Sequence, residues 1–372
     1  MRPDAETGWW REAGHERPCG AVQRPSAALA LRAALVAAQA ATVLVTWNVW
    51  HPRSFPPLLP LVELPPFPAG QALLASLAVA LFRPRVGVPL HAVVLAVAIV
   101  ADQSRLQPHV ISMATLLWAT VGSPGGLVVA RGSLAALWLY AGIHKLTSPA
   151  YFVTTGPWLL AAVWPGGPQW LGSAIAMAVA VTEVFLGCGC LVPRLRTAVA
   201  GVAAVFHVAT FAVLALRLHW NSAVWPWNLA LAVAGPAIVL GWRGRGLGDA
   251  WGAATRAARA VAIALFVLPA GYWLGVVDAF LAHCVYADNR PRAFVCTPFG
   301  RTDLDTICLR LGVVLPPAHR LYVPFFRGIG RPGEWLEVED PRWIARVRGF
   351  DRRRIDWDEI AGAAEPPPAA SP

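Results

Sequence analysis

Residues 171–192 read LGSAIAMAVAVTEVFLGCGCLV, and residues 197–217 read TAVAGVAAVFHVATFAVLALR. Each run has about the 20 mostly apolar residues that a transmembrane helix needs. Only the four residues PRLR separate them, so the two helices must run in opposite directions. This stretch predicts an all-α fold, a polytopic bundle of membrane helices.

The composition of the chain agrees with a membrane location. The 372 residues are 56% hydrophobic and only 14% charged, yet the formal net charge is +10. Soluble domains average about 25% charged residues, so an ordinary soluble enzyme or a disordered protein is not expected. Residues 1–284 contain 18 Lys and Arg against 9 Asp and Glu, whereas residues 285–372 contain 13 against 12. The excess lies in the apolar part, which predicts basic membrane loops and lipid partners, and no nucleic acid.

Further apolar runs extend this pattern along the chain. A Ser-Pro-Gly-Gly turn at 123–126 divides two of them, because Pro and Gly interrupt helices. We predict nine spans, with eight and ten as alternatives, near 27–48, 69–82, 86–101, 107–122, 126–144, 171–192, 197–217, 222–241 and 259–283.

The arginines predict the orientation of these spans, because cytoplasmic loops hold an excess of Lys and Arg. With the N-terminus inside, the inner segments contain twelve arginines and the outer loops before the C-terminal region only four basic residues. We therefore expect a multi-pass protein of the cell (inner) membrane, with a cytoplasmic N-terminus. The first apolar run is interpreted as an uncleaved anchor, with a signal peptide as the alternative.

The chain divides into four segments on this interpretation. A cytoplasmic segment covers 1–26, the membrane domain 27–284, a small extracytoplasmic α+β domain 285–364, and a Pro/Ala-rich disordered tail 365–372. An oxidising compartment would allow one disulfide among the three cysteines of the outer domain, Cys284, Cys296 and Cys308.

Two ionisable residues fall deep inside neighbouring spans. Glu183 lies about twelve residues into its span and His207 about ten residues into the next, so both reach similar depth. We expect them to form an intramembrane polar pair. The pair would serve as a proton relay or ligand site, or else as a simple interhelical hydrogen bond.

Lys145 is the only lysine among the 31 Lys and Arg residues. It closes the fifth predicted span in the run Tyr140-Ala-Gly-Ile-His144-Lys145-Leu146. A desolvated lysine can lose its proton whereas a guanidinium cannot, so Lys145 beside His144 is a candidate general base. The alternative is that it only marks a helix end.

Further polar residues collect on the predicted outer face. They belong to two separate loops and to the start of the eighth span, and together they could line one substrate-binding pocket. These candidates are Asp102, Arg105, His109, His219, Asn221 and Asn228. No set of Cys and His residues has the spacing of a metal site, so none is predicted.

The run from Tyr140 to Leu146 resembles a motif of the HTTM membrane domain, the family of vitamin K-dependent γ-carboxylases and their bacterial relatives. The Glu183 helix and the PRLR turn after it look like those of DoxX-like and MauE-like membrane proteins. The resemblance implies that Lys145 is the base that deprotonates a reduced quinone, on the outer side of the membrane. His144 stands where the carboxylases have a second lysine, and the outer domain is too short for their peptide-binding region. The resemblance thus implies a quinone or quinol as substrate or cofactor, without peptide carboxylation.

Three functional hypotheses follow. The first is an enzyme acting on a quinone or another lipid-soluble substrate, with Lys145 as base. The second is a non-catalytic membrane component that supports a redox or respiratory partner. The third is a proton-coupled transporter that uses Glu183 and His207, although no internal repeat supports it.

Overall fold

The computed structural model describes residues 25–241 and 247–362, which are mainly helical with one small antiparallel sheet. The predicted helical class is thereby confirmed in its coarse form. Residues 1–24 of the predicted cytoplasmic segment, the tail 365–372, and the loop arginines Arg243 and Arg245 lie outside the described residues.

Twelve α-helices occupy the described part of the apolar region. Pro124 lies in the first turn of the longest helix, and the Ser123 hydroxyl accepts a hydrogen bond from the Gly126 amide at 3.0 Å. This N-cap explains the break predicted at 123–126. The helices are α1 (Pro25–Val45), α2 (Trp47–Trp50), α3 (Ala69–Phe82), α4 (Pro84–Ala101), α5 (Pro108–Leu117), α6 (Pro124–Leu146), α7 (Gly156–Val163), α8 (Gln169–Gly189), α9 (Arg196–Phe211), α10 (Trp225–Leu240), α11 (Leu247–Ala253) and α12 (Arg256–Val267).

Six helical stretches of the described chain are long and apolar enough to cross a membrane. Their presence fits a multi-pass membrane protein, but the predicted number of nine spans is not confirmed. The predicted spans at 69–82 and 107–122 correspond to α3, with 14 residues, and α5, with 10. The six stretches are Ala27–Val45, Pro84–Ala101, Pro124–Leu146, Gln169–Gly189, Pro193–Arg217 and Ser222–Leu240.

The ninth predicted span, 259–283, is not one continuous helix. Helix α12 ends at Val267, and a 3₁₀ turn over Leu268–Tyr272 follows. Pro269 cannot donate a helical hydrogen bond, and Gly275 has a φ of 73°, which a helix cannot contain. The predicted span was therefore too long, because the residues that follow the end of the helix are also apolar.

Helix α6 lies at the centre of the bundle and packs closely against α8. A Cβ added at Gly142 of α6 would lie 2.7 Å from the Ala180 carbonyl oxygen. A Cβ added at Gly187 of α8 would lie 2.5 Å from the Leu139 amide nitrogen. Small residues let two membrane helices approach until their backbones touch, and both glycines serve this purpose here.

All four strands lie in the C-terminal region. They form a sheet in the order β2-β1-β3-β4 with every neighbouring pair antiparallel, and the row Val295, Leu336 and Ile355 faces the helices. The α+β content predicted for this region therefore agrees with the structure. The elements are β1 (Arg292–Thr297), β2 (Gly300–Asp303), α13 (Leu304–Arg310), α14 (His319–Ile329), β3 (Trp335–Glu339), α15 (Trp343–Val347), β4 (Arg352–Asp356) and α16 (Trp357–Gly362).

A buried carboxylate ties the outer elements together. Asp340, which follows β3, contacts His319 Nε2 at 2.8 Å and accepts a hydrogen bond from Arg342 Nη2 at 2.6 Å. Burial opposes the charged form, but the hydrogen bonds from His319 and Arg342 prevail and lower the pKa of Asp340 to about 2. The carboxylate therefore stays charged and links α14, β3 and α15.

The membrane and outer parts interlock. Leu59, from the loop between α2 and α3, is 3% exposed and belongs to the hydrophobic core of the outer domain. A Cβ added at Gly328 of α14 would lie 2.5 Å from Pro57 of the same loop. The outer domain thus packs directly on a loop of the membrane domain.

We expect Gly142→Ala to destabilise the protein by about 1 to 3 kcal/mol, because its methyl group would meet the backbone of α8. Gly201→Ala is the matched control, because a Cβ at Gly201 of α9 has no neighbour within 4 Å. Chemical unfolding in mixed micelles measures both. Equal stability of the two variants would contradict the close packing of α6 on α8.

Candidate functional site

Lys145 and Glu183 form an ion pair between α6 and α8. The Lys145 ammonium donates to both carboxylate oxygens of Glu183, at 2.7 and 2.9 Å. The two side chains are 4% and 11% exposed, so the charges are nearly removed from solvent. Lys145 Nζ lies also 3.4 Å from the Ala141 carbonyl oxygen, one turn back along its own helix. The pair is a bidentate, desolvated charge contact.

The chain after α6 turns back over this ion pair. A π-helical turn over Tyr151–Thr155 brings the Tyr151 ring within 5.9 Å of Lys145 Nζ. Tyr151 is buried, and its ring face supplies a further favourable contact for a cation. The ammonium is therefore enclosed by a carboxylate, a carbonyl and an aromatic ring.

His144 precedes Lys145 on α6 and lies in an aromatic cluster. Its ring stacks on Trp273 and meets the Tyr272 ring edge-on, with both centroid distances at 4.8 Å. Nε2 lies 3.1 Å from the Ala282 carbonyl oxygen, which can only accept, so Nε2 carries the proton in this contact. Nδ1 is buried and has no hydrogen-bond partner, which leaves a lone pair available to a ligand.

Residues 282–290 cover the C-terminal end of α6; we call them the covering segment. Three of its residues bond to α6 or to the turn after it. Besides the Ala282 carbonyl, the Asp288 amide donates to Ser148 Oγ at 3.1 Å and Asn289 Nδ2 donates to Thr147 Oγ1 at 2.9 Å. These contacts lie on both sides of Lys145 in the sequence, so the segment closes this end of the ion-pair site.

Strained backbone concentrates beside this cover. His283 and Tyr286 of the covering segment have φ values of 57° and 60°, and His219 and Asn221 of the α9–α10 loop have 46° and 51°. These four are the positive-φ residues other than glycine in the described chain. Asn221 Nδ2 donates to the Tyr286 hydroxyl at 3.0 Å, which joins the two strained segments. Such strain gathers at functional sites, because surrounding contacts must hold it in place.

Glu183 does not bond to His207 as predicted, and each has another partner. Trp138 Nε1 donates to His207 Nε2 at 2.9 Å, and His207 Nδ1 lies 3.0 Å from Asn228 Oδ1. An indole can only donate, so this His207 is neutral and carries its proton on Nδ1. Both side chains reach α6, Glu183 at Lys145 and His207 at Trp138, but at different positions along it, and His207 also contacts Asn228 of α10.

Asp102 and Arg105 were predicted to line a binding surface, but in the structure they make buried contacts that hold a loop in place. Asp102 is fully buried and pairs with Arg53 at 2.7 Å, while Arg105 Nε donates to the Val49 carbonyl at 2.9 Å. The Asp102 side chain also accepts from the Leu59 amide at 3.3 Å. These bonds anchor the loop between α2 and α3, and they leave both side chains engaged within the protein.

The remaining predicted residues are distributed over different contacts. The ring centroids of His109 and Trp227 are 6.3 Å apart, and the buried Nε2 of His109 has no hydrogen-bond partner. His219 is exposed, whereas Asn221 reaches the covering segment. The contacts thus join Lys145 to Glu183 and place His144 beside them, whereas Asn228, His109 and Asp102 each make contacts in other clusters.

Four aromatic residues of the site were not predicted: Tyr151, Tyr272, Trp273 and Tyr286. Their positions after the ends of α6 and α12 carry no helical periodicity that would have revealed them.

Among the described residues, no group of three His, Cys, Asp or Glu side chains could hold a metal ion. Cys284, Cys296 and Cys308 are all free thiols, so the disulfide considered for the outer domain is not formed. Burial raises the pKa of the Cys284 thiol to about 12.

No family model, curated protein or solved structure matches this chain.

We expect Lys145→Met to destabilise the protein by about 3 to 5 kcal/mol, because it leaves the Glu183 carboxylate buried without its partner. The double variant Lys145→Met/Glu183→Leu should recover most of this loss, since it removes both charges. Unfolding in mixed micelles provides the measurement. If the single and double variants were equally unstable, the ion pair would not be the source of the effect.

Proposed function

We propose that the protein is a membrane enzyme that removes a proton from a lipid-soluble hydroxyl compound of the quinol class, with Lys145 as the base. The observation that carries the proposal is the buried, bidentate contact between the only lysine and Glu183. Ionisable residues at membrane depth are costly and are generally kept for a function. The resemblance of the Tyr140–Leu146 run to quinone-dependent carboxylases points to the same residue.

The resting pair is an ammonium held by a carboxylate, which is not yet a base. Burial disfavours both charges, so transfer of one proton from Lys145 to Glu183 costs less here than in water. The transfer yields a neutral amine beside a carboxylic acid. Glu183 is therefore proposed as the group that activates Lys145.

The amine can then take the proton of a substrate hydroxyl. The O–H bond breaks, a new N–H bond forms at Lys145, and the substrate oxygen keeps the electron pair. The regenerated ammonium lies beside the new oxyanion and stabilises its charge. At the end of the step Glu183 is protonated and Lys145 is charged.

The surrounding residues suit a flat, partly polar ligand. Trp273 and Tyr272 offer ring faces, and the free Nδ1 of His144 can accept a second hydroxyl proton in a hydrogen bond. The covering segment excludes water at the outer end of α6, which strengthens each electrostatic contact. A ligand would enter from the lipid side or by displacement of this segment.

The contacts of Glu183 and His207 do not support the transporter hypothesis. It relied on Glu183 and His207 as a coupled pair, whereas Glu183 bonds to Lys145 and His207 to Trp138 and Asn228.

Infrared difference spectroscopy of the protein in nanodiscs, with menaquinol and ubiquinol as probes, tests the proposal. Addition of the quinol should produce a protonated-carboxyl band, because Glu183 ends the step with a proton. Glu183→Gln should abolish that band. Lys145→Arg keeps the positive charge but cannot relay a proton, so it should abolish the band while the protein stays folded.

A purely structural ion pair predicts a different result. The carboxyl band would then be absent in the wild-type protein, or it would survive in Lys145→Arg. Asn228→Ala is the matched control, because Asn228 bonds to His207 and not to the ion pair. It should leave the band unchanged.

A further inference from the structure

An apolar surface patch joins the outer domain to the end of α12. Helix α15 exposes Trp343 and Val347, at 53% and 72%, on one face four residues apart. The turn after α12 exposes Leu274 and Val276, at 54% and 72%. We call these four residues the interfacial patch.

Residues next to the two halves of the patch are in contact. A Cβ added at Gly275 would lie 3.5 Å from Ile344 Cγ2 and 3.6 Å from Arg348 Nη1. Arg342, which precedes α15, donates to the Tyr272 carbonyl at 3.3 Å while its guanidinium also holds Asp340. The contacts fix α15 beside the turn after α12, so the exposed residues of both lie near each other on the surface.

The surface of α12 leads into this patch. Val261, Ile263 and Val267 are exposed along the helix, and Leu268 continues the apolar surface into the following turn. On a membrane protein, such side chains face the acyl chains of lipids. The interfacial patch is therefore continuous with the lipid-facing surface.

The border of the patch has the chemistry of a headgroup region. Arg346 and Arg348 are exposed and flank Val347, and neither has an ion-pair partner among the described residues. Trp343 combines an apolar ring with an N–H donor. Tryptophan at the headgroup level and arginine beside lipid phosphates are the usual anchors at a membrane interface.

We propose that α15 and the 274–276 turn are seated in the membrane interface, with Arg346 and Arg348 on the phosphates of anionic phospholipids. The C-terminal domain then lies on the bilayer surface and contacts the lipids through this patch, and it is not surrounded by water on all sides. This inference does not depend on the proposed enzymatic function.

Nitroxide labels test the seating in nanodiscs. Val347→Cys provides the label position, in a background where Cys19 and Cys188 are serine; Cys188 is exposed and Cys19 lies outside the described residues. The matched control is Phe299→Cys, at a fully exposed hairpin tip beside β2, on the sheet edge opposite β4. Collision rates with oxygen and with a water-soluble nickel chelate report the depth of each label.

We expect the ratio of oxygen to nickel collisions to be several-fold higher at position 347 than at position 299. A label at Val276→Cys, on the other half of the patch, should show the same shielding if one substitution disturbs folding. Equal ratios at 347 and 299, with position 276 also open to nickel, would overturn the proposal.

The arginine contacts have their own test. Shielding at position 347 should increase when phosphatidylcholine nanodiscs are replaced by an equimolar mixture with phosphatidylglycerol. Arg346→Gln/Arg348→Gln should abolish that increase. An increase that persists in the double variant, or none in the unmodified pair, would contradict phosphate binding by these arginines.

Discussion

The packing of α6 on α8 must accommodate two opposite charges that are buried between these helices, Lys145 and Glu183. Neither Lys145 nor Glu183 can stay charged in an apolar bundle without the other, because an isolated buried ion is far more costly than a paired one. Their contact at 2.7 Å joins the two helices. Gly142 and Gly187 allow the backbones of the same two helices to touch, since a Cβ at either position would meet the facing backbone. Packing and charge thus depend on the same pair of helices.

The C-terminal domain packs against the helical bundle near the ion pair. The covering segment bonds to residues on both sides of Lys145, and Leu59 of a membrane-side loop enters the outer core. Asp340 and Arg342 carry the linkage on to Tyr272, beside His144. A series of contacts therefore runs from the sheet to His144 beside the ion pair, and the covering segment, which contains the positive-φ residues His283 and Tyr286, bonds to the same histidine through Ala282.

The sequence predicted the helical class and the break before Pro124 from local signals alone. It also singled out Lys145 and Glu183 as candidates, and the structure brings these two side chains into one ion pair. The partners were not predictable in the same way. Depth along a helix says nothing about its rotation, so Glu183 was assigned to His207 on α9 although it faces α6.

Long-range partners explain the other differences. Asp102 was predicted to face a pocket, but Arg53, 49 residues away in the sequence, neutralises it. Lys145 belongs to the end of α6, yet helical side chains lean toward the N-terminus, which lets its ammonium approach Ala141 and reach Glu183. The end of α12 at Val267 depends on Pro269, and the turn after it contacts residues of the C-terminal domain, which hydropathy does not record.

The single lysine permits a direct test of the ion pair. Protein labelled with ¹⁵N at lysine Nζ and ¹³C at glutamate Cδ gives one side-chain nitrogen signal in bilayers, because Lys145 is the only lysine. Solid-state NMR should show an ammonium resonance with strong dipolar dephasing from a glutamate carboxyl carbon, lost in Glu183→Gln. An ammonium without such dephasing, in free exchange with water, would contradict the buried pair from which this account proceeds.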